Sequence, residues 1–371
     1  MKSCGLIINP IAGMGGSVGL KGTDGQQILK RAIEMGATPR SEERARCCLM
    51  VLSKIKDEIE LVTPRGSMGE DLALECGFKP TVIGEIARGM TSAEDTIRTA
   101  RLMKTSGVDI ILFAGGDGTA RDIYTAVGRS ITVLGIPAGV KIQSAVFARN
   151  PVQAGEIAML YLKGRITTHV EAEVMDLCEQ DYRRGILNGE LFGYLKIPHE
   201  RNRLQRLKEG SSKEEIYEQE AIAHHVIEGM SDDIIYVIGP GSTTSMIQKK
   251  LNIDFSLIGV DIIGQRTLIE RDVCEADLIK RIEGRSAKLI ITPIGGQGFI
   301  LGRGNQQISP YVVRKIGKEN IIIISTIQKI NRLHARPLLV DTGDSDLDEY
   351  LSGYYRIVTG YHREIIYRVA S

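Results

Sequence analysis

Leu112-Phe113-Ala114-Gly115-Gly116-Asp117-Gly118-Thr119 is an apolar run that stops at three glycines set around one carboxylate. The run reads as a buried strand, and Ala120-Arg121-Asp122-Ile123-Tyr124-Thr125-Ala126-Val127 after it reads as a helix. Glycine permits φ > 0 and lets backbone N–H groups approach a ligand closely. The helix N-terminus adds unpaired N–H groups and a partial positive charge, which suits phosphate. A carboxylate inside such a cradle is repelled unless it holds Mg²⁺ or takes a proton from an attacking hydroxyl. The combination points to phosphoryl transfer. A plain strand-to-helix turn capped by Asp117 or Thr119 is the simpler alternative. That alternative needs one glycine, whereas glycine fills three of the four positions from 115 to 118.

The same rhythm runs upstream. Gly5-Leu6-Ile7-Ile8 is a short buried strand broken by Asn9-Pro10, and a glycine-rich loop continues to Gly19. Residues 41–53 have helical composition, 59–63 and 81–84 read as strands, and 70–76 as a helix. Thr91-Ser92-Ala93-Glu94 has the form of a capping box opening a helix to about Lys104. Arg129 to Ile136 gives another strand, ending in Pro137-Ala138-Gly139-Val140-Lys141. Strands alternating with helices, with loops at the strand C-termini, mean a parallel α/β sheet carrying its site on that edge.

Beyond residue 142 the pattern changes. Arg165 to Leu177 reads as a strand in a mostly antiparallel unit, and Gly185 to Ile197 as a hairpin turning at Asn188-Gly189. The basic stretch His199 to Lys213 reads as a solvated helix or loop. From 233 strands and helices return, with strands at 234–238, 257–263, 288–292, 320–325 and 337–340. We expect an N-terminal α/β nucleotide-binding domain over 1–141 and a β-rich substrate domain with further α/β elements over 142–335. Residues 336–371 are expected to pack back on the first domain.

The chain has 371 residues, enough for two domains. Lys plus Arg number 47 against 46 Asp plus Glu, so the balance offers no general attraction to nucleic acid or an anionic membrane. The six cysteines form no C-x-x-C pair, which suggests a reducing compartment rather than a disulfide framework. No signal peptide and no membrane span are evident, so a cytoplasmic protein is expected. A homo-oligomer is also expected.

Five loops could carry chemistry. Loop one, Asn9 to Gly19 with Gly13, Gly15 and Gly16, matches neither a dinucleotide G-x-G-x-x-G nor a P-loop, yet suits donor phosphates. Loop two, Gly115 to Asp122, holds Asp117 as the candidate catalytic base. Its Asp122 either orients a metal-bound water or only favours the helix N-terminus. Loop three, Gly135 to Lys141, offers Gly139 and a cation, Lys141, to a transferring phosphate or to solvent. Loop four, Gly239 to Ser245, brings hydroxyls ahead of a helix, as ligand groups or as ordinary caps. Loop five, Thr292 to Gln307, carries amides and an arginine among glycines, poor core material that suits a ligand surface. It leads to a helix start at Ser309-Pro310. Asp341 and Asp344 read as a turn capping a helix near 346–350, or as metal ligands.

Asn9-Pro10-Ile11-Ala12-Gly13, Gly115-Gly116-Asp117-Gly118-Thr119 and Gly135-Ile136-Pro137-Ala138-Gly139 together resemble the NAD kinase, diacylglycerol kinase and sphingosine kinase superfamily. Pro240-Gly241-Ser242-Thr243-Thr244 resembles the Thr-Pro-Thr-Gly-Ser-Thr-Ala-Tyr loop of NAD kinases, with Thr244-Ser245 standing where that loop has Ala-Tyr. The Asn-Glu pair that grips adenine in ordinary NAD kinases is not evident. With Gly295-Gly296-Gln297-Gly298 and the run Gly302 to Gln307, most of the chain is similar to ATP- or polyphosphate-dependent NAD kinases, a group with acetoin-catabolism-linked members.

The resemblance implies an N-terminal domain of NAD kinase type. It also implies phosphoryl transfer from ATP or polyphosphate to the 2′-hydroxyl of NAD, with Mg²⁺ or another divalent metal. Asp117 would activate that hydroxyl, and Gly115, Gly116, Gly118 and Thr119 would surround the phosphates. Gly241, Ser242 and Thr243 would touch the dinucleotide. Asp122 matches the position where lipid kinases carry Glu. A lipid or sphingoid-base kinase, or a non-catalytic nucleotide-binding regulator, is the alternative. Asp117→Asn is expected to leave folding intact and abolish turnover.

Overall fold

The computed structural model describes residues 1–20, 26–86, 91–140, 142–177, 189–200 and 213–371. Its first sheet holds β1 (Lys2–Ile8), β2 (Ile59–Pro64), β3 (Thr81–Ile83), β4 (Ile110–Gly115), β5 (Thr132–Pro137), β6 (His169–Leu177) and β7 (Gly189–Pro198). Residues Cys4 to Ile8 of β1 and all of β4 and β5 are buried. Strands enclosed on both faces belong in the middle of a parallel sheet. The order is β3-β2-β1-β4-β5-β7-β6, parallel throughout except for β6 against β7. The chain winds outward from β1 to β3, then crosses back to β4 on the other side of β1. That reversal makes the crevice beyond the C-terminal ends of β1 and β4 the natural ligand position.

The helices of this half are α1 (Gln26–Glu34), α2 (Ser41–Leu52), α3 (Glu70–Glu75), α4 (Ala93–Ser106), α5 (Asp117–Val127) and α6 (Pro151–Leu162). The start of α4 lies one residue later than the sequence pattern indicates. Ser92 is the cap and Asp95 closes the box, because Ser92 accepts from the Asp95 N–H while the Asp95 carboxylate accepts from the Ser92 N–H. The core runs through Leu6, Ile8, Leu112 and Phe113, with the Phe113 and Phe147 rings edge to face at 5.3 Å.

The second half contains α7 (Lys213–Glu228), β8 (Ile235–Ile238), α8 (Ser242–Leu251), β9 (Asp261–Gly264), β10 (Thr267–Glu270), α9 (Glu275–Ile282), β11 (Ala287–Ile291) and β12 (Phe299–Leu301). It continues through α10 (Pro310–Ile316), β13 (Ile321–Ile324), α11 (Ile327–Asn331), β14 (Leu338–Val340), α12 (Ser345–Leu351), β15 (Gly353–Gly360) and β16 (Arg363–Ala370). Its nine strands are ordered β10-β9-β8-β11-β13-β15-β16-β14-β12, with β8, β11, β13 and β15 parallel at the centre. Ser309 and Pro310 open α10 as expected, and the Ser309 hydroxyl accepts from the Val312 N–H.

Sheet membership departs from the expected domain boundaries. Strands β6 and β7 extend the first sheet, through the pairing of Thr132 with Lys196, so that sheet continues well past residue 141. Strands β14 to β16 complete the second sheet instead of lying on the first domain, since β15 and β16 form a long hairpin whose inner edge pairs with β13. Asp341 and Thr342 of that segment's first loop reach Arg44 and Arg40 of the first half. The expected turn at Asn188-Gly189 and most of the basic stretch from His199 lie outside the described residues.

Candidate active site

Asp117 is the first residue of α5, directly after β4, and only 4% of it is exposed. Its Oδ2 accepts from the Gln143 N–H at 2.8 Å, and its Oδ1 from the Ser144 N–H at 3.0 Å and the Ser144 hydroxyl at 2.7 Å. Ser144 also accepts from the Met175 N–H, which ties the segment after β5 to β6. The carboxylate is therefore held rigidly between a helix N-terminus and a turn. Nothing in the sequence around Ser144 marks it for this role.

Loops one, two and three converge as expected. The Gly115 carbonyl accepts from the N–H groups of Ala138 and Gly139, and Asn9 Nδ2 donates to Thr119 Oγ1 at 3.0 Å. Gly13 has φ +83°, and a Cβ there would run into the Ala138 carbonyl oxygen, so only glycine lets loop one lie against loop three. Gly16 sits against Gln306, and Gly15 is buried within the same loop. Gly116 and Gly139 face each other, and Gly118 lies half-buried in the first turn of α5. Lys141 lies outside the described residues.

Loop five closes this arrangement from the second half. Gln306 Nε2 and the Gly304 N–H donate to the Val140 carbonyl, and Gln297 Nε2 donates to that of Ile142. Two of the amides that suggested a ligand surface thus join the two halves. The Glu275 N–H adds a bond to the Ser17 carbonyl. Between these loops opens a cleft lined among others by Gly13, Arg40, Arg44, Gly139, Arg303 and Gln306.

The cleft's charge is concentrated in arginines. Arg44 pairs with Asp341 Oδ1, and Arg303 pairs with Asp341 Oδ2 at 3.1 Å and donates to the Arg149 carbonyl at 2.7 Å. Burial pulls the Arg44 guanidinium down, but Asp341 outweighs it and holds Arg44 above its ordinary value. Arg303 shares the same carboxylate and fares worse: burial, with the like charge of Arg44 adding to it against Asp341, brings it down to about 10. The opposite directions reflect one anion divided between two cations, and both remain charged near neutral pH. Arg44 was detectable in the sequence, because it falls on the apolar stripe Ala45, Cys48, Leu49 and Leu52 of α2, where a charge needs a partner. Asp341 is thus an ion-pair residue, whereas Asp344 caps α12 by accepting from the Leu347 N–H.

Loop four stands at the end of β8. Gly241 has φ +137° and packs on Thr292, Ser242 accepts from Gln219 Nε2, and Thr243 accepts from Lys329 Nζ at 2.8 Å. Lys329, which also donates to Thr292, is a buried cation that the sequence pattern did not single out.

A divalent metal is implied by the resemblance. Among the described residues no group of three or more His, Cys, Asp or Glu side chains could hold one. Five residues turn Asp122 about 140° around α5 from Asp117, so the two carboxylates do not face one ion. The described residues alone do not make a metal site.

A carboxylate fixed at the switch point of a doubly wound sheet, under a second domain that contributes arginine and amides to a shared cleft, defines a two-domain α/β phosphotransferase. The chain matches the ATP-NAD kinase N-terminal domain over residues 4–166 and the ATP-NAD kinase C-terminal domain over residues 231–369. It belongs to the ATP-NAD kinase family, and its substrate is NAD. No curated protein and no solved structure matches it. No helix among the described residues is long and apolar enough to cross a membrane.

Proposed function

We propose that the enzyme transfers the γ-phosphoryl group of ATP, or the terminal phosphate of polyphosphate, to the adenosine ribose 2′-hydroxyl of NAD, with Asp117 taking the hydroxyl proton. The ribose oxygen forms its bond to phosphorus as the bridging P–O bond to the leaving phosphate chain breaks. A free carboxylate, with a pKa near ~4, is too weak to deprotonate the hydroxyl beforehand. The proton moves to Asp117 as the new bond forms, assistance worth about 10²–10⁴-fold. The position of Asp117 carries this reading: a carboxylate fixed by three hydrogen bonds at the start of α5, beside the facing backbone of Gly116 and Gly139.

In this reading, Asn9, Gly13, Gly15 and Gly16 with Gly115, Gly116, Gly118 and Thr119 cradle the donor phosphates, and Gly139 and Lys141 border them. Gly241, Ser242 and Thr243 receive the dinucleotide. Any Mg²⁺ arrives on the donor's own phosphates, and Asp122 serves the N-terminal end of α5. NADP formation from NAD with ATP, or with polyphosphate, tests the reaction. NAD and donor bound together for hours without NADP would sink it.

A further inference from the structure

We propose that Arg40, Arg44 and Arg303 form, between the two domains, a site that binds a chain of phosphates by its charge and without a base. Naming that chain as the donor's rests on the kinase reading; the site itself does not. Three guanidiniums meet at the cleft, and Asp341 is the carboxylate paired with two of them. Arg40 is half-buried and makes its hydrogen bond to a carbonyl, that of Thr342, at 3.5 Å.

The decisive atom is Arg303 Nη1. Arg303 is 5% exposed, lines the cleft, and carries its other nitrogens to Asp341 and Arg149, while Nη1 is buried with no hydrogen-bond partner. An unpaired donor on a buried cation is costly, and an anionic oxygen in the cleft satisfies it. Gln306 Oε1 also lacks a partner, and a water or hydroxyl entering with the anion supplies its donor. No aromatic ring among the described residues lines the cleft for a base to stack on. Phosphate oxygens match forked guanidiniums; a purine finds no platform.

The test is calorimetric titration of the full chain with sodium tripolyphosphate, without NAD, in the wild type, Arg40→Gln and Arg303→Gln. Wild-type binding that weakens with added salt is expected, with Kd raised at least about tenfold in each variant. Arg40→Gln removes only a long bond to a carbonyl, so it keeps the test valid if Arg303→Gln misfolds by circular dichroism. No binding to the wild type, or an unchanged Kd in Arg40→Gln, overturns the site. NADP formation from NAD, with ATP and with polyphosphate, is assayed in parallel on the same proteins. Arginine-dependent binding without NADP upholds the site and overturns the kinase reading. NADP formation with arginine-independent binding does the reverse.

Discussion

At the scale of single residues, the Asp117 carboxylate combines two tasks that a substitution at Asp117 itself cannot separate. Both oxygens accept, from Gln143 and Ser144, so an asparagine would turn its NH₂ toward an N–H or hydroxyl donor. The sequence-based expectation that Asp117→Asn leaves folding untouched is corrected on this ground. We expect a stability loss of about 1–3 kcal/mol by denaturant titration together with the loss of turnover. More than about a tenth of wild-type kcat remaining would remove Asp117 as the proton acceptor. Ser144→Ala separates the tasks, since both backbone N–H groups stay on the carboxylate. It should cost about 1 kcal/mol and lower kcat by less than about tenfold; inactivity as deep as that of Asp117→Asn would mean that Ser144 itself takes part. Asp117 was legible because three glycines around a carboxylate have few uses. Ser144 was not, because a lone serine acquires its role only when β6 brings Met175 beside it.

At the scale of elements, strand ends were the readable part. A buried apolar run followed by glycine announces both the strand and the loop that leaves it, which is why loops one to three were found on one edge. The placement of β6 and β7 was not readable, because a hairpin's choice of sheet rests on distant partners and here on the contact between Thr132 and Lys196. Local geometry makes sharper demands elsewhere. Gly302 follows β12 with φ +85°, and a Cβ there would overlap the Asp341 carbonyl oxygen just beyond β14. Gly302→Ala should therefore destabilise by about 1–3 kcal/mol or more, read as a fall in melting temperature. An unchanged melting temperature would mean that these strand ends separate without cost. Asp109, just before β4, ties that strand to β1 through Lys2 and the Ser3 N–H. Burial pushes the Asp109 carboxyl up, but the bonds from Lys2 and Ser3 prevail and hold it below its ordinary 3.8. A lowered folded-state pKa means stability present above 3.8 and lost as pH falls through the folded value. Asp109→Asn should flatten the stability profile in that acid window; an unchanged acid limb in urea titrations would refute the linkage.

At the scale of the whole molecule, the two sheets meet through a small set of polar contacts around one cleft, and Asp341 is the counter-charge at its centre. It belongs to the second half, while Arg44 comes from α2 of the first and Arg303 from loop five. This joint was hidden in the sequence: the apolar stripe of α2 marks Arg44 as needing a partner, but Asp341 stands 297 positions away and nothing local points to it. Breaking a buried pair from one side leaves uncompensated charge, so Asp341→Asn should cost about 3–5 kcal/mol. The physics also specifies the remedy. With the carboxylate gone, two buried guanidiniums face the cleft, and any anion that enters replaces the lost charge. A ligand at about 100 times its Kd stabilises by about 2.7 kcal/mol. Tripolyphosphate should therefore raise the melting temperature of Asp341→Asn more than that of the wild type, with added chloride far less effective. Equal shifts in the two proteins would show that Asp341 and the phosphate chain do not act on the same arginines.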